Sequence, residues 1–306
     1  MFKKICIAVL VTFLCVGCSN KDANNEETIV DVSVLLPNGA TSVSHVGLIT
    51  NQVQLTNGKT TYDVVGADVI TANMTSGSYD FVVAPTNLGI KLINNGADYK
   101  IAGVLTTGNL YVIALDPENI DKVVAFNQGA VPDKVMKAVF EANEYSPEIE
   151  YVEDVASAQA LLLSGEANCI LIAEPALTAI KAKLKEQEKE VTIVYDLQAE
   201  FEKISGSTGY PQASIFVKNG TEAAVVEKYL TTLQESITIW KADSEALSAT
   251  ISDEVADLVG VKAAIIGKTF NRLGINYSYA LEDKEQIDKF LTYFGMEATT
   301  EDIYYK

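Results

Sequence analysis

The chain reads as an α/β protein built from two similar lobes, each a mixed sheet flanked by helices. Three observations predict this. Short runs rich in β-branched residues alternate with segments of helical length from residue 29 onward, and the rhythm restarts at Asp116-Pro117. Two distant stretches also echo each other. SGSYDFVVAPTNLGI, from Ser76, and SGEANCILIAEPALTAI, from Ser164, both run through a Ser-Gly stop, a polar turn, an apolar strand, a proline and a new helix. Alternation of this kind belongs to parallel or mixed sheets covered by helices.

Taken in order, IVDVSVLL is a strand, and PNGATS leads from it into a helix beginning near Ser42. KTTYDVVG is a strand, and ADVITANMTSG a helix that stops at Gly77, where a left-handed cap suits glycine. DFVVA is a strand, followed by the helix TNLGIKLINNG, which ends at Gly96; YKIAGVL and NLYVIAL are two further strands. After the restart come the strand KVVAF, the helix VPDKVMKAVFEAN, the strand IEYV, and the helix DVASAQALLLSG with Asp154 as its N-cap. NCILIA is the next strand, PALTAIKAKLKEQ a helix with Pro175 in its first turn, and VTIVY a strand. ASIFVK follows GSTGYPQ as a strand. From Thr221 the chain turns mostly helical, with INYSYAL a last strand before a helix near Asp283.

The first 17 residues stand apart from this pattern. Lys3 and Lys4 precede an apolar run from Ile5 to Val16 that is short for a membrane span, and Cys18 follows Val16-Gly17. The stretch resembles a lipoprotein signal (residues 1–17) cleaved before an acylated Cys18, with an uncleaved anchor helix as the alternative. Residues 18–27 then form a flexible polar tether. Processing leaves Cys18, which carries lipid, and Cys169, which sits in the apolar run CILIA and reads as a buried small hydrophobe. The formal charge is −18, and loss of Lys3 and Lys4 takes it to −20. Nucleic acid and anionic lipid surfaces are therefore poor partners. Arg272 is the single arginine, so any guanidinium fork in a binding site has to use it.

Polar loops recur at the C-terminal ends of strands. Asn38, Gly39, Thr41 and Ser42 follow the first strand, Pro85, Thr86 and Asn87 the third, and Thr106, Thr107, Gly108 and Asn109 separate two apolar strands. In the second half Gln128 and Gly129 follow KVVAF, and Glu174 interrupts an apolar strand end just before Pro175. Each alone is an ordinary cap or turn. Together they predict a polar cleft between the lobes, because ligands of open α/β sheets sit beyond the carboxyl ends of the strands. A carboxylate at position 174 is costly unless paired or solvated, and two uses stand open: capping the following helix, or accepting N–H bonds from a ligand.

Catalytic and metal constellations are lacking in the sequence. His45 is the sole histidine, and there is no G-x-S-x-G elbow, Walker A loop or dinucleotide fingerprint. No enzyme activity, cofactor or metal is expected. His45 either faces the cleft or is a plain helix residue, and Tyr111, Tyr210 and Trp240 are stacking candidates whose default is core packing.

The leader and tether, LLPNGA, VVGADVI, SGSYDFVVAPTNLG, TTGNLYVIA, FNQGAVPDKV, LLSGEANCILIAEPA and GYPQASIFVK, in this order, resemble the substrate-binding lipoproteins of bacterial ABC importers. The branch is that of nitrate, sulfonate, taurine and thiamine-pyrimidine-precursor binders. The resemblance implies a two-lobed type II periplasmic-binding fold with crossings near residues 115–117 and 210–213. Lobe I then comprises residues 28–115 plus 213–306, and lobe II residues 116–212. It also implies a small-molecule ligand between the lobes, a permease partner, a monomer, and membrane attachment through the N-terminal lipid only. The site would comprise Asn38, Gly39, Thr41, Ser42, Pro85, Thr86, Asn87, Thr107, Gly108 and Asn109 from the first lobe. Gln128, Gly129, Glu174, Tyr210 and Gln212 would face them. Scarce arginine, acidic balance and Glu174 favour a pyrimidine-like or other nitrogen heterocycle. A sulfonate, taurine or nitrate anion is the alternative ligand, and a ligand sensor without transport the alternative role.

Overall fold

Residues 29–306 are described by a computed structural model of the chain. The expected leader, the tether and Cys18 lie outside the described residues.

The first β-rich segment forms β1 (Val32–Pro37), and two short helices follow it, α1 (Ala40–Val43) and α2 (Val46–Thr50). One helix from Ser42 was expected; the break falls at Ser44 and His45, where the Ser44 hydroxyl bonds back to the Thr41 carbonyl at 2.6 Å. Next come β2 (Thr60–Val65), α3 (Ala67–Ser76), β3 (Phe81–Pro85), α4 (Thr86–Asn94), β4 (Tyr99–Thr106) and β5 (Leu110–Ala114). Gly77 caps α3 in the left-handed conformation, as expected. The middle of the chain supplies β6 (Lys122–Phe126), α5 (Val131–Ala142), β7 (Glu148–Val152), α6 (Val155–Ser164), β8 (Cys169–Ala173), α7 (Ala176–Glu186), β9 (Thr192–Asp196) and α8 (Leu197–Ser205). The Asp154 side chain accepts from Ser157 N–H and caps α6, whereas Pro175 is the N-cap of α7 rather than a residue of its first turn. The last third holds β10 (Ala213–Lys218), α9 (Ala223–Ala242), α10 (Ser244–Ser248), α11 (Asp253–Val259), α12 (Ala263–Thr269), a 3₁₀ turn (Phe270–Arg272), β11 (Ile275–Tyr279) and α13 (Lys284–Thr292).

These strands form two sheets, β11-β4-β10-β3-β1-β2 and β7-β6-β8-β5-β9. In the first, β1 runs parallel to β2 and β3, and β10 lies antiparallel between β3 and β4. The second repeats the plan: β6 is parallel to β7 and β8, and β5 lies antiparallel between β8 and β9. The echo between the Ser76 and Ser164 stretches thus corresponds to a shared architecture, with β3–α4 and β8–α7 in matching places.

The sheet pairing departs from one expected boundary. Leu110–Ala114, assigned from the sequence to the first lobe, hydrogen-bonds entirely within the second sheet. The chain therefore crosses at residues 107–109, not at 115–117. An antiparallel strand inserted between two others carries no mark in its own composition, and Asp116-Pro117 is only the turn that follows it. The return crossing at residues 206–212 delivers β10 to the first sheet.

Both sheets are covered on both faces. In the first, one face packs α2 and α9 over Val34, Leu36, Val83 and Ile215, and the other packs α3, α4 and α13 over Leu35, Val82, Ile101 and Phe216. In the second, α5 and α8 cover Leu110, Val112 and Leu171, while α6 and α7 cover Ile113, Ile170 and Ile172. Central strands β3, β5 and β10 are accordingly near-continuous apolar runs, each fully buried side chain contributing about 1.5–3 kcal/mol. Helix α13 straddles the lobes: Ile287 and Leu291 join the first core, and Phe290 the second. Cys169 is fully buried, as expected, and burial pushes its thiol up to about 12.

Candidate functional site

The C-terminal ends of β3, β4 and β8 meet the two crossings in one hydrogen-bonded assembly. At its centre is Asn109, 3 % exposed, in the first crossing. Its Nδ2–H donates to the Glu174 carbonyl at 2.8 Å, while its Oδ1 accepts from Gln212 Nε2 at 3.1 Å. Glu174 N–H returns a bond to the Asn109 carbonyl at 2.9 Å. Gln212 belongs to the second crossing, where its N–H donates to the Thr106 carbonyl and its carbonyl accepts from Thr86 N–H. Tyr210 N–H donates to the Thr107 carbonyl. Six expected site residues, Thr86, Thr107, Asn109, Glu174, Tyr210 and Gln212, are thus brought together, with Pro85 beside them as the N-cap of α4.

This relay settles the amide orientations. The Glu174 carbonyl can only accept, so Asn109 presents nitrogen to it and oxygen to Gln212. Gln212 then presents nitrogen to Asn109, which leaves Gln212 Oε1 buried and without a partner among the described residues. Thr106 Oγ1 and Asn87 Oδ1 are in the same condition. Thr106 is the register partner of Ala213, and so is Pro85, two residues before Asn87. The three oxygens without partners among the described residues thus belong to the first turn of α4, the end of β4 and the residue before β10, segments that adjoin through Ala213. The nearby Thr86 hydroxyl is satisfied by Ser214 Oγ at 2.7 Å, and three further buried hydroxyls away from this place, those of Thr50, Tyr62 and Tyr277, also have no partner among the described residues.

Glycine is required where the first crossing touches the turn before β11. Gly274, at φ +64, lies so close to Gly108 that a Cβ would stand 2.0 Å from the Gly108 oxygen. Its carbonyl accepts from Thr107 N–H at 2.9 Å. Gly108 itself packs under the ring of Tyr210, which is fully buried and stacks on Phe290 at 5.9 Å. Tyr210 is therefore a core residue of the hinge.

Glu174 answers to neither use alone. Its side chain is 1 % exposed; Oε2 accepts from Thr178 N–H at 3.0 Å and so caps α7. Its Oε1 accepts from Thr178 Oγ1 at 2.9 Å and from Arg272 Nε at 3.0 Å. The single arginine comes from the other lobe, and its Nη2 also donates to Thr178 Oγ1 at 2.8 Å. Beside this pair lies a cavity of about 330 Å³ lined by Tyr111, Leu177, Lys181 and Ile193. Burial, with the charges of Asp196 and Glu174, pushes the Tyr111 phenol up to about 12.

The remaining expected residues are placed differently. Thr41 Oγ1 donates to the Pro37 carbonyl at 2.5 Å, and Ser42 Oγ to the carbonyls of Gly39 and Val259. Those hydroxyls close their own loop and hold it to α11. Asn38 is exposed and Gly39 half-buried. Gln128 and Gly129 lie on an exposed loop held by the buried Asp133, which accepts from Gly129 N–H at 2.8 Å. His45 is fully buried, with Nε2 2.7 Å from the Tyr229 hydroxyl, and Trp240 packs on Phe270 in the core. Sequence reasoning missed Thr178, Ser214 and Gly274 as partners of the site, since nothing local distinguishes them. Arg272 was foreshadowed by its being the only arginine.

This architecture is shared with solved structures. An ABC transporter structure from Parabacteroides distasonis matches with a TM-score of 0.79 at 19 % identity, over 92 % of this chain and 99 % of that one. The chain has the two-lobed periplasmic-binding fold. The periplasmic aliphatic sulphonate binding protein SsuA from Escherichia coli matches with a TM-score of 0.67 at 15 % identity, over 90 % of this chain and 92 % of that one. The alkanesulfonate-binding protein SsuA from Xanthomonas axonopodis pv. citri, bound to MOPS, gives 0.62 at 14 % identity, over 90 % and 98 %. No protein-family model and no curated protein matches the chain. In a periplasmic-binding fold the lobes hinge about the crossings, and here these are the segments that carry Asn109 and Gln212.

Proposed function

We propose that the chain is an extracytoplasmic solute-binding protein, anchored by lipid at Cys18, that captures a small molecule between its lobes and delivers it to an ABC-importer permease. The ligand is a neutral, N–H-bearing heterocycle of the pyrimidine type. One observation carries this ligand class: Asn87 Oδ1, Thr106 Oγ1 and Gln212 Oε1 are buried oxygens without partners among the described residues, and their segments meet at the second crossing. The Gln212 oxygen, whose orientation the Asn109 relay fixes, can only accept, so the group that satisfies it is a donor, and the Thr106 hydroxyl can accept from the same ligand. A buried acceptor left unpaired costs about 1–3 kcal/mol, which a bound N–H would recover. The pairing of Arg272 with Glu174 removes the one guanidinium from competition and supports a ligand without net charge.

A second reading, a sulfonate or similar anion, draws on the α4 N-terminus after Pro85 and on the sulfonate-binding proteins among the structural neighbours. Thermal-shift titration separates the two. A pyrimidine at a hundredfold excess over its Kd stabilises by about 3 kcal/mol, and at roughly 2–4 °C per kcal/mol the melting temperature rises visibly. Taurine and nitrate should leave it unchanged. A shift with sulfonates and none with heterocycles overturns the ligand assignment while leaving the solute-binding role in place.

A further inference from the structure

We propose that Arg272 and Glu174 form a clasp that holds the two lobes together without the help of a solute. The inference concerns the lobes themselves and stands whichever molecule the cleft takes.

Position singles the pair out. Asn109 and Gln212, which also join the lobes, lie within the crossings and travel with the hinge. Arg272 sits on the 3₁₀ turn between α12 and β11 of the first lobe, and Glu174 at the end of β8 in the second. Their bond links the lobes outside the crossing segments, beside the place where α12 packs against α7.

The two partners are prepared unequally. Glu174 keeps its bonds from Thr178 N–H and Oγ1 whatever the lobes do, since both come from its own lobe. Its carboxylate is thus seated before closure, on the N-terminal turn of α7, and the arginine bond alone is made and broken. Arg272 is half exposed, so water receives it readily when the lobes part. Its turn is held in place on the first-lobe side: Gly274, two residues on, accepts from Thr107 N–H and packs against Gly108. The guanidinium is therefore aimed at Glu174 by backbone tied to the hinge. Its fork engages Glu174 with Nε and Thr178 with Nη2, a pattern that the single ammonium of lysine cannot reproduce. A charge-assisted bond to a buried carboxylate is also among the stronger polar contacts available.

In ordinary hinge closure the solute supplies the bridge between lobes. With a built-in bridge, the solute-free protein already populates the closed form, and the solute enters by way of clasp opening. Small-angle X-ray scattering tests this on the full chain, freed of solute by unfolding in guanidinium and refolding by dialysis. Wild-type protein should show a compact radius of gyration, about 19 Å for a folded chain of this length. Arg272→Met and Glu174→Gln should each raise it by about 0.5–1 Å through hinge opening, with unchanged far-ultraviolet circular dichroism. Glu174→Gln keeps an oxygen for the α7 cap, and Arg272→Lys should fall between wild type and Arg272→Met. The double variant Arg272→Met/Glu174→Gln should open no further than Arg272→Met alone, because the arginine substitution already removes both bonds of the fork. Scattering from both single variants that superimposes on wild type overturns the clasp. So does a wild-type profile as open as theirs.

Discussion

Gln212 donates from Nε2 to Asn109 Oδ1 at 3.1 Å, and that one contact joins the two crossing segments side chain to side chain. Because Asn109 in turn donates to the Glu174 carbonyl, the orientation of each amide is dictated by its neighbour. The hinge of this periplasmic-binding fold is thereby a directional relay ending on Gln212 Oε1, an oxygen without a partner among the described residues.

Reversing one member should break the relay. Asn109→Asp keeps an acceptor for Gln212 but sets a carboxylate oxygen against the Glu174 carbonyl at a site 3 % exposed. The expected cost is about 1–3 kcal/mol of folding stability. Urea unfolding with an unchanged m-value and a lowered midpoint checks it.

Thr106→Val separates stability from binding. Thr106 Oγ1 is buried and bonded to nothing among the described residues, so exchanging it for a methyl of the same shape removes an unsatisfied group. The ligand-free protein should melt at the same temperature or slightly higher. Stabilisation by the proposed heterocyclic ligand should shrink, with affinity lower by roughly tenfold, the effect of about 1.4 kcal/mol. A clear loss of ligand-free stability would show that the hydroxyl has a structural partner.

His45 gives the protein an acid-side weakness. Burial lowers its pKa from 6.5 to about 4, with the Thr41 carbonyl opposing weakly. Between those values the unfolded chain takes up a proton that the folded one refuses, so stability falls as pH drops from 6.5 to 4 and this contribution is constant below. The total is on the order of 3 kcal/mol. His45→Gln should flatten that part of the stability–pH curve. As the sole histidine, His45 also yields a single imidazole resonance whose titration in the folded protein should centre near 4.

Two glycines of similar backbone conformation should respond unequally to alanine. Gly274 and Gly260 have φ of +64 and +70, but a Cβ at Gly260 meets nothing within 4 Å. Gly260→Ala should cost about 1 kcal/mol from left-handed strain alone. Gly274→Ala adds a clash with the Gly108 backbone, and the total should exceed about 3 kcal/mol, in the range of the most damaging single substitutions. Thermal denaturation of the two variants side by side checks the ranking.

What the sequence determined by itself is the set of local elements. Periodicity, Gly77, Asp154 and the apolar runs Phe81–Pro85 and Cys169–Ala173 carry their own structural instructions, because caps and buried strands depend on residues a few positions apart. The repeated plan of two lobes was legible for the same reason. The tertiary structure alone decided which sheet receives Leu110–Ala114, since strand insertion depends on partners 55 to 85 residues away. It also decided that Thr41 and Ser42 close their own loop while Thr106 and Gln212 keep oxygens without partners among the described residues. Glu174 shows the division most plainly. Its helix cap is a four-residue matter readable from Pro175 onward, but its ion pair spans 98 positions and exists only where two lobes meet.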